Sequence, residues 1–183
     1  HFYMPEFGFS NMGQMREGQG YQIKVSEAVQ LVYRAGERLA AVYRRQPVPT
    51  HFLPAVHGGD NMSVLLLGDA AVSNWEVGVF GDSGLLVGSG RFDAEGRCGL
   101  AVWGDDPVTD EVDGSVDGVE LTFRLWDGAR EVELPVESVR GRPRWTADGF
   151  FVGKPVLEGI TPAEFGIHRA YPNPANGPVR IVY

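Results

Sequence analysis

The sequence predicts an all-β protein built as an antiparallel β-sandwich, and three observations carry that prediction. Apolar residues recur with a period of two in short runs such as Cys98-Gly99-Leu100-Ala101-Val102-Trp103 and Leu121-Thr122-Phe123-Arg124-Leu125, the spacing of strands that turn one face to a core. Gly, at 25 residues, is about twice its usual share of roughly 7% and stands with 12 Pro, which suits many short strands joined by tight turns. Apolar residues make up 43% of the 183-residue chain, enough for one ordinary core or two small ones.

Residues 1–20 hold Phe2, Tyr3, Phe7 and Phe9 among Pro and Gly, an aromatic irregular segment leading into a turn. Tyr21–Val25 and Val29–Tyr33 alternate as two strands joined through Ser26-Glu27-Ala28, and residues 36–45 continue as a short strand. These form a small β unit over residues 1–50. Residues 51–60 carry Pro54, Gly58 and Gly59 without periodicity and read as a linker. The main sandwich, immunoglobulin-like or jelly-roll-like, spans residues 61–160. Its strands are expected at 62–67, 76–80, 85–92, 99–103, 119–126, 131–135 and 150–157, separated by Gly-Asp, Asp-Ser-Gly and Ala-Glu-Gly turns. Residues 98–128 read as a hairpin, two arms joined by a loop with six carboxylates. Residues 161–183 are a connector, a Pro-rich turn and a last strand, Val179–Tyr183. No later run can pair with that strand, so its backbone groups seek another edge.

The formal net charge of −8 is concentrated in residues 100–137, which makes duplex nucleic acid an unlikely partner. Cys98 is the single cysteine, so an intramolecular disulfide is excluded and a buried thiol is expected. No apolar run reaches the ~18 residues of a membrane helix. The chain opens on His1 and is read as a trimmed piece of a longer product.

Tyr171-Pro172-Asn173-Pro174, Asn176-Gly177 and Val179-Arg180-Ile181 resemble the opening of the C-terminal sorting domain of proteins exported by the type IX secretion system of Bacteroidota-like bacteria. The resemblance implies a β-sandwich that directs export and surface attachment, with the Tyr-Pro-Asn-Pro run before its first strand. Met62–Leu66, Glu76–Phe80, Val87–Gly90 and Gly99–Pro107 are similar to a β-module that precedes such domains in large surface proteins. Gly18–Val25 is similar to the second half of another module of the same proteins. A secreted, cell-surface location follows from these resemblances.

Candidate sites follow from the chemistry their residues can supply. Asp105, Asp106, Asp110, Asp113 and Asp117 are the candidate calcium ligands, because Ca²⁺ takes six to eight oxygens; their spacing is not that of an EF-hand, and a solvated turn-forming loop is the competing reading. Glu111 and Asp117 could also be cast as a glycosidase acid and base, but nothing in the sequence fixes the separation such a pair needs. Trp103 and Trp126 sit opposite the Leu-Val-Phe rows and are the candidate glycan-stacking residues, with burial at an interface as the alternative. His1 with His51, His57 or His168 could chelate copper. Ser83 lacks a Gly-x-Ser-x-Gly elbow and a local His, and Gly88-Ser89-Gly90 lies in a strand, where a bulge or close packing is expected rather than a phosphate loop. No nucleophile with its base, metal spacing or phosphate loop points to an enzyme. The expectation is a non-enzymatic extracellular structural protein that self-associates into a fibre, Val179, Arg180, Ile181, Val182 and Tyr183 pairing with a neighbour's edge. An accessory module binding polysaccharide or calcium is the alternative.

Overall fold

The computed structural model describes residues 1–12, 21, 23, 25, 27–30, 48–54, 60–158, 169–171 and 180–182. Twelve strands run through them: β1 (Tyr3–Met4), β2 (Phe9–Ser10), β3 (Asn61–Leu67), β4 (Glu76–Phe80), β5 (Leu86–Arg91), β6 (Arg97–Trp103), β7 (Thr122–Trp126), β8 (Glu131–Glu133), β9 (Val136–Arg140), β10 (Phe150–Pro155), β11 (Arg169–Tyr171) and β12 (Arg180–Val182). The remaining regular elements are short 3₁₀ turns, and no helix among the described residues is long and apolar enough to cross a membrane.

Strands β3 to β10 form one sheet in the order β8-β7-β4-β5-β6-β3-β10-β9. Every neighbouring pair is antiparallel except β10 with β3. Only Leu134 and Pro135 separate β8 from β9, yet these two strands occupy opposite ends of the sheet. The sheet must therefore curl until its ends meet. Two bonds mark the closure: the Leu134 N–H donates to the Phe123 carbonyl at 2.9 Å, and the Val156 N–H donates to the Pro135 carbonyl at 2.9 Å. The rings of Phe123 on β7 and Phe151 on β10, distant in the strand order, stack at 6.1 Å across the interior. The all-β expectation is borne out, the two halves of one curled sheet facing each other as the layers of a sandwich do.

The inner face gathers the residues the period of two had marked. Cys98, Leu100 and Val102 on β6 and Phe123 and Leu125 on β7, with Leu121 just before it, join Val64, Leu66, Val77 and Val79 in one buried cluster. Each such aliphatic or aromatic side chain contributes about 1.5–3 kcal/mol by leaving water. Burial pushes the Cys98 thiol up, with the charge of Asp93 adding to the effect, so the sulfur is a small apolar packing group rather than a nucleophile.

The hairpin expected over residues 98–128 does not form. Its arms, β6 and β7, are separated by β4 and β5. Strands β4, β5 and β6 meander, and β7 then returns to lie beside β4, which is the Greek-key arrangement. The acidic segment is its crossover, and its length of eighteen residues between Trp103 and Thr122 fits a crossing over two strands better than a tight turn.

On the outer face β1 and β2 pair around a 3₁₀ turn, Pro5–Phe7, and pack Met4 and Phe9 onto Leu65 and Val152. The Asn11 side chain fixes this hairpin, accepting from the Phe2 N–H at 2.6 Å and donating to the Gly99 carbonyl at 3.2 Å. Residues 1–12 thus belong to the same packed body as the sheet, not to a separate small unit. The strands expected at 21–33 and 36–45 and the connector after Ile160 fall largely outside the described residues. The terminal run finds a partner inside the chain: β12 pairs antiparallel with β11, Arg169 opposite Val182 and Tyr171 opposite Arg180. It is one strand of a two-stranded ribbon rather than a single protruding strand; Val179 and Tyr183 lie outside the described residues.

Candidate functional site

Glu76 opens an otherwise apolar strand, and its side chain is 1% exposed on the outer face. Strand pairing sets Trp126 on one side of it and Arg91 on the other. A buried carboxylate needs donors, and residues 50–52 supply them. Its Oε1 accepts the Thr50 N–H at 2.8 Å and the Thr50 hydroxyl at 2.8 Å; its Oε2 accepts the His51 N–H at 2.7 Å and the Phe52 N–H at 3.3 Å; Arg91 completes the set with a charged hydrogen bond. Burial alone would raise this carboxyl. The amides of His51 and Thr50, the Thr50 hydroxyl and Arg91 outweigh it and hold the pKa at about 2.

The clamp lays residues 48–54 across the sheet as a strap. Phe52 covers Gly78, where a Cβ would stand 2.7 Å from the ring, so only glycine admits this approach. His51 stacks flat on Trp126, with ring centroids 4.1 Å apart and planes 6° apart, and its Nε2 lies 3.2 Å from Glu131. Arg124 pairs with Glu131 at 3.0 Å and, with His51, holds that carboxyl below its usual range. Beside the strap runs an apolar groove of about 300 Å³, lined by Val48, Leu53, Pro54, Ala101 and Trp103 among others.

Both candidate tryptophans are on the outer face as expected, but the structure does not bring them together. Trp126 lies level with Arg91, whereas Trp103 follows Val102, which pairs with Gly88 further along β5. With three strand spacings between β7 and β6, they are separated by roughly 14 Å across the sheet, in addition to that offset along the strands. His51 covers one face of Trp126, leaving Trp103 as the one that lines an open groove.

In the acidic crossover the carboxylates brace the backbone. Asp105 accepts the Asp113 N–H at 2.9 Å, Asp113 accepts the Asp106 N–H at 3.1 Å, and Asp106 accepts the Val108 N–H at 2.9 Å. Asp110 and Glu111 are exposed near its tip. Asp117 stands at the other end, in a second groove with Arg142, Arg144 and Trp145. Among the described residues no group of three or more His, Cys, Asp or Glu is placed to hold a metal ion. His57 and His168 fall outside the described residues, and Ser83 lies in a 3₁₀ turn, Asp82–Gly84. Gly88 and Gly90 pack closely on the Ala101 carbonyl and the Cys98 sulfur.

Sequence reasoning missed the Glu76 clamp and the Arg142–Arg144 groove. The clamp had a signal, a lone acid heading the apolar run Glu76-Val77-Gly78-Val79-Phe80; the arginines had none, since Gly141-Arg142-Pro143-Arg144 reads only as a turn. No protein-family model, curated protein or solved structure matches this chain.

Proposed function

We propose that this chain is a non-enzymatic, extracellular structural protein, a subunit of a surface assembly whose copies are joined by β-strand addition through residues 179–183. The observation that carries the reading is the ribbon. Strands β11 and β12 are three residues each and pair only with each other among the described residues. A two-stranded sheet is marginal in water, and a third strand supplies the missing main-chain bonds. An acceptor exists in β9, a five-residue end strand of the main sheet whose Glu137, Ser138, Val139 and Arg140 are exposed. The resemblance of residues 171–181 to a surface-sorting segment supports the extracellular setting. The buried or braced acidic groups described above fasten loops to the sheet, which suits a scaffold.

Ile181→Pro tests the joint. Proline removes the N–H of residue 181, which either bonds Ala170 or faces the open edge, so strand addition is lost in both cases. Negative-stain microscopy is expected to show extended strand-joined assemblies for the natural chain and none for the variant, which stays folded by circular dichroism. Extended assemblies that persist in the variant refute the joint.

A second reading has one observation in its favour, the open groove at Trp103. As an accessory module the chain would stack a sugar ring there. Trp103→Ala would then abolish retardation in gels containing insoluble glycan fragments, while Trp126→Ala, whose ring His51 already covers, would leave it; equal migration of all three chains refutes glycan binding.

A further inference from the structure

The second groove, about 310 Å³, opens where the crossover rejoins β7. The Gly118 N–H donates to the Trp145 carbonyl at 2.9 Å, and the Trp145 N–H donates to the Val119 carbonyl at 2.8 Å. This pairing projects residues 142–146 beside the foot of the acidic crossover. Arg142, Arg144 and Thr146 line the groove, with Met62 and Phe150 as apolar lining. Both arginines are exposed. Asp117 shares the groove, yet no ion pair holds either guanidinium among the described residues. In a chain with 24 acidic and 16 basic residues, two neighbouring unpaired arginines beside apolar surface form a surface for a carboxylate carried on a partly apolar body.

The chain itself carries the complement. Asp110 and Glu111 project near the tip of the crossover without an ion pair among the described residues. Val108 and Val112, 88% and 68% exposed, flank them. The loop is braced before any contact is made. Besides the three carboxylate-to-amide bonds, the Thr109 hydroxyl lies 3.0 Å from the carbonyls of Asp106 and Glu111. Docking such a loop therefore costs little ordering entropy.

We propose that the groove of Arg142 and Arg144 receives the acidic crossover of a second copy, Asp110 and Glu111 meeting the guanidiniums and Val108 and Val112 meeting the apolar lining. Loop and groove share one end of the sheet, so two copies can exchange loops reciprocally about a two-fold axis, each residue pair occurring twice. The net charge of −8 on each copy opposes approach at long range. At physiological salt that repulsion is screened beyond about 8 Å, while pairs in contact are screened far less. This contact is separate from strand addition and stands without it.

The test is a charge swap on the full chain carrying Ile181→Pro, which removes ribbon-mediated assembly. One variant adds Asp110→Lys with Glu111→Lys, the other Arg142→Glu with Arg144→Glu, and sedimentation equilibrium gives the mass of each. The parent is expected to associate with concentration. Each variant alone is expected to weaken association at least about tenfold while keeping the parent's thermal transition. An equimolar mixture is expected to recover it, because each loop then faces a groove of opposite charge. A parent that stays at 20.0 kDa at every concentration overturns the proposal, as do variants that associate like the parent or a mixture that fails to recover. Assembly of the natural chain lost on Ile181→Pro would still support strand addition, so the two readings fail separately.

Discussion

Replacing Glu76 by Ala is expected to destabilise the protein by about 3–5 kcal/mol, the cost of breaking a buried ion pair from one side, and to free residues 48–54 from the sheet. Three backbone amides, one hydroxyl and Arg91 converge on this carboxylate. Without it the amides of residues 50–52 lose their acceptors; that of Phe52, itself 4% exposed, is the buried one, and an unmet buried donor costs about 1–3 kcal/mol. Arg91, 24% exposed, can turn part of its guanidinium to water, which keeps the loss from growing further. Urea unfolding gives the magnitude, and proteolysis within residues 48–54 reports release of the strap. The pH dependence has a definite sign. The folded pKa of about 2 lies below the ordinary 4.5, so the contribution is fully present above pH 4.5 and is lost as pH falls toward 2. At 1.36 kcal/mol per unit this amounts to about 3 kcal/mol. Glu76→Gln should lack this acid-labile part; an unchanged acid profile in that variant would show that the ionisation of Glu76 is not linked to folding.

Gly114→Ala is expected to cost on the order of 3 kcal/mol, for a different reason. A Cβ there would stand 2.1 Å from the Gly104 carbonyl oxygen, 2.2 Å from its carbon and 2.5 Å from the Asp105 nitrogen. All three are backbone atoms at the base of the crossover, where Ser115 N–H donates to the Trp103 carbonyl at 3.0 Å and Asp105 N–H to the Ser115 carbonyl at 2.9 Å. No side chain can swing aside, so the base has to open, which places the change at the severe end of overpacking. The thermal midpoint should fall by about 10 °C for a chain of this size. Gly118→Ala is the comparison: its φ of +84° strains an alanine, but nothing lies within 4 Å of the added carbon, so a loss of about 1 kcal/mol is expected. Equal losses in the two variants would mean that crowding at Gly104 is relieved by a small backbone shift.

Strands β6 and β7 were legible because they alternate. Leu100 and Val102 turn inward and Ala101 and Trp103 outward, and periodicity is enough to establish that. Partners were not legible, since the same alternation fits a hairpin of β6 with β7 or a Greek key with two strands between them. Strand β9 escaped because Glu137, Ser138, Val139 and Arg140 are all exposed and have no apolar row to reveal them. The clamp depends on Glu76 and Arg91 meeting across β4 and β5 and on a strap 25 residues upstream, a juxtaposition that only the fold makes. Trp126 was placed on the correct face, but its covering by His51 follows from that strap and could not be read before it.

The stretch from Glu131 to Arg140 caps β7 with one half and β10 with the other, and this sets an order of events for a chain made from its N-terminus. Once residue 126 has emerged, β3 to β7 can already assemble in the order β7-β4-β5-β6-β3. Strand β3, whose Val64, Leu65 and Leu66 end fully buried, is then an open flank, as is β7. Neither flank is covered until β8, β9 and β10 arrive, and the parallel partner of β3 comes last, Phe150 opposite Ser63. During synthesis, an interval of about thirty residues at roughly 5–20 residues per second leaves this nascent sheet adhesive for a few seconds.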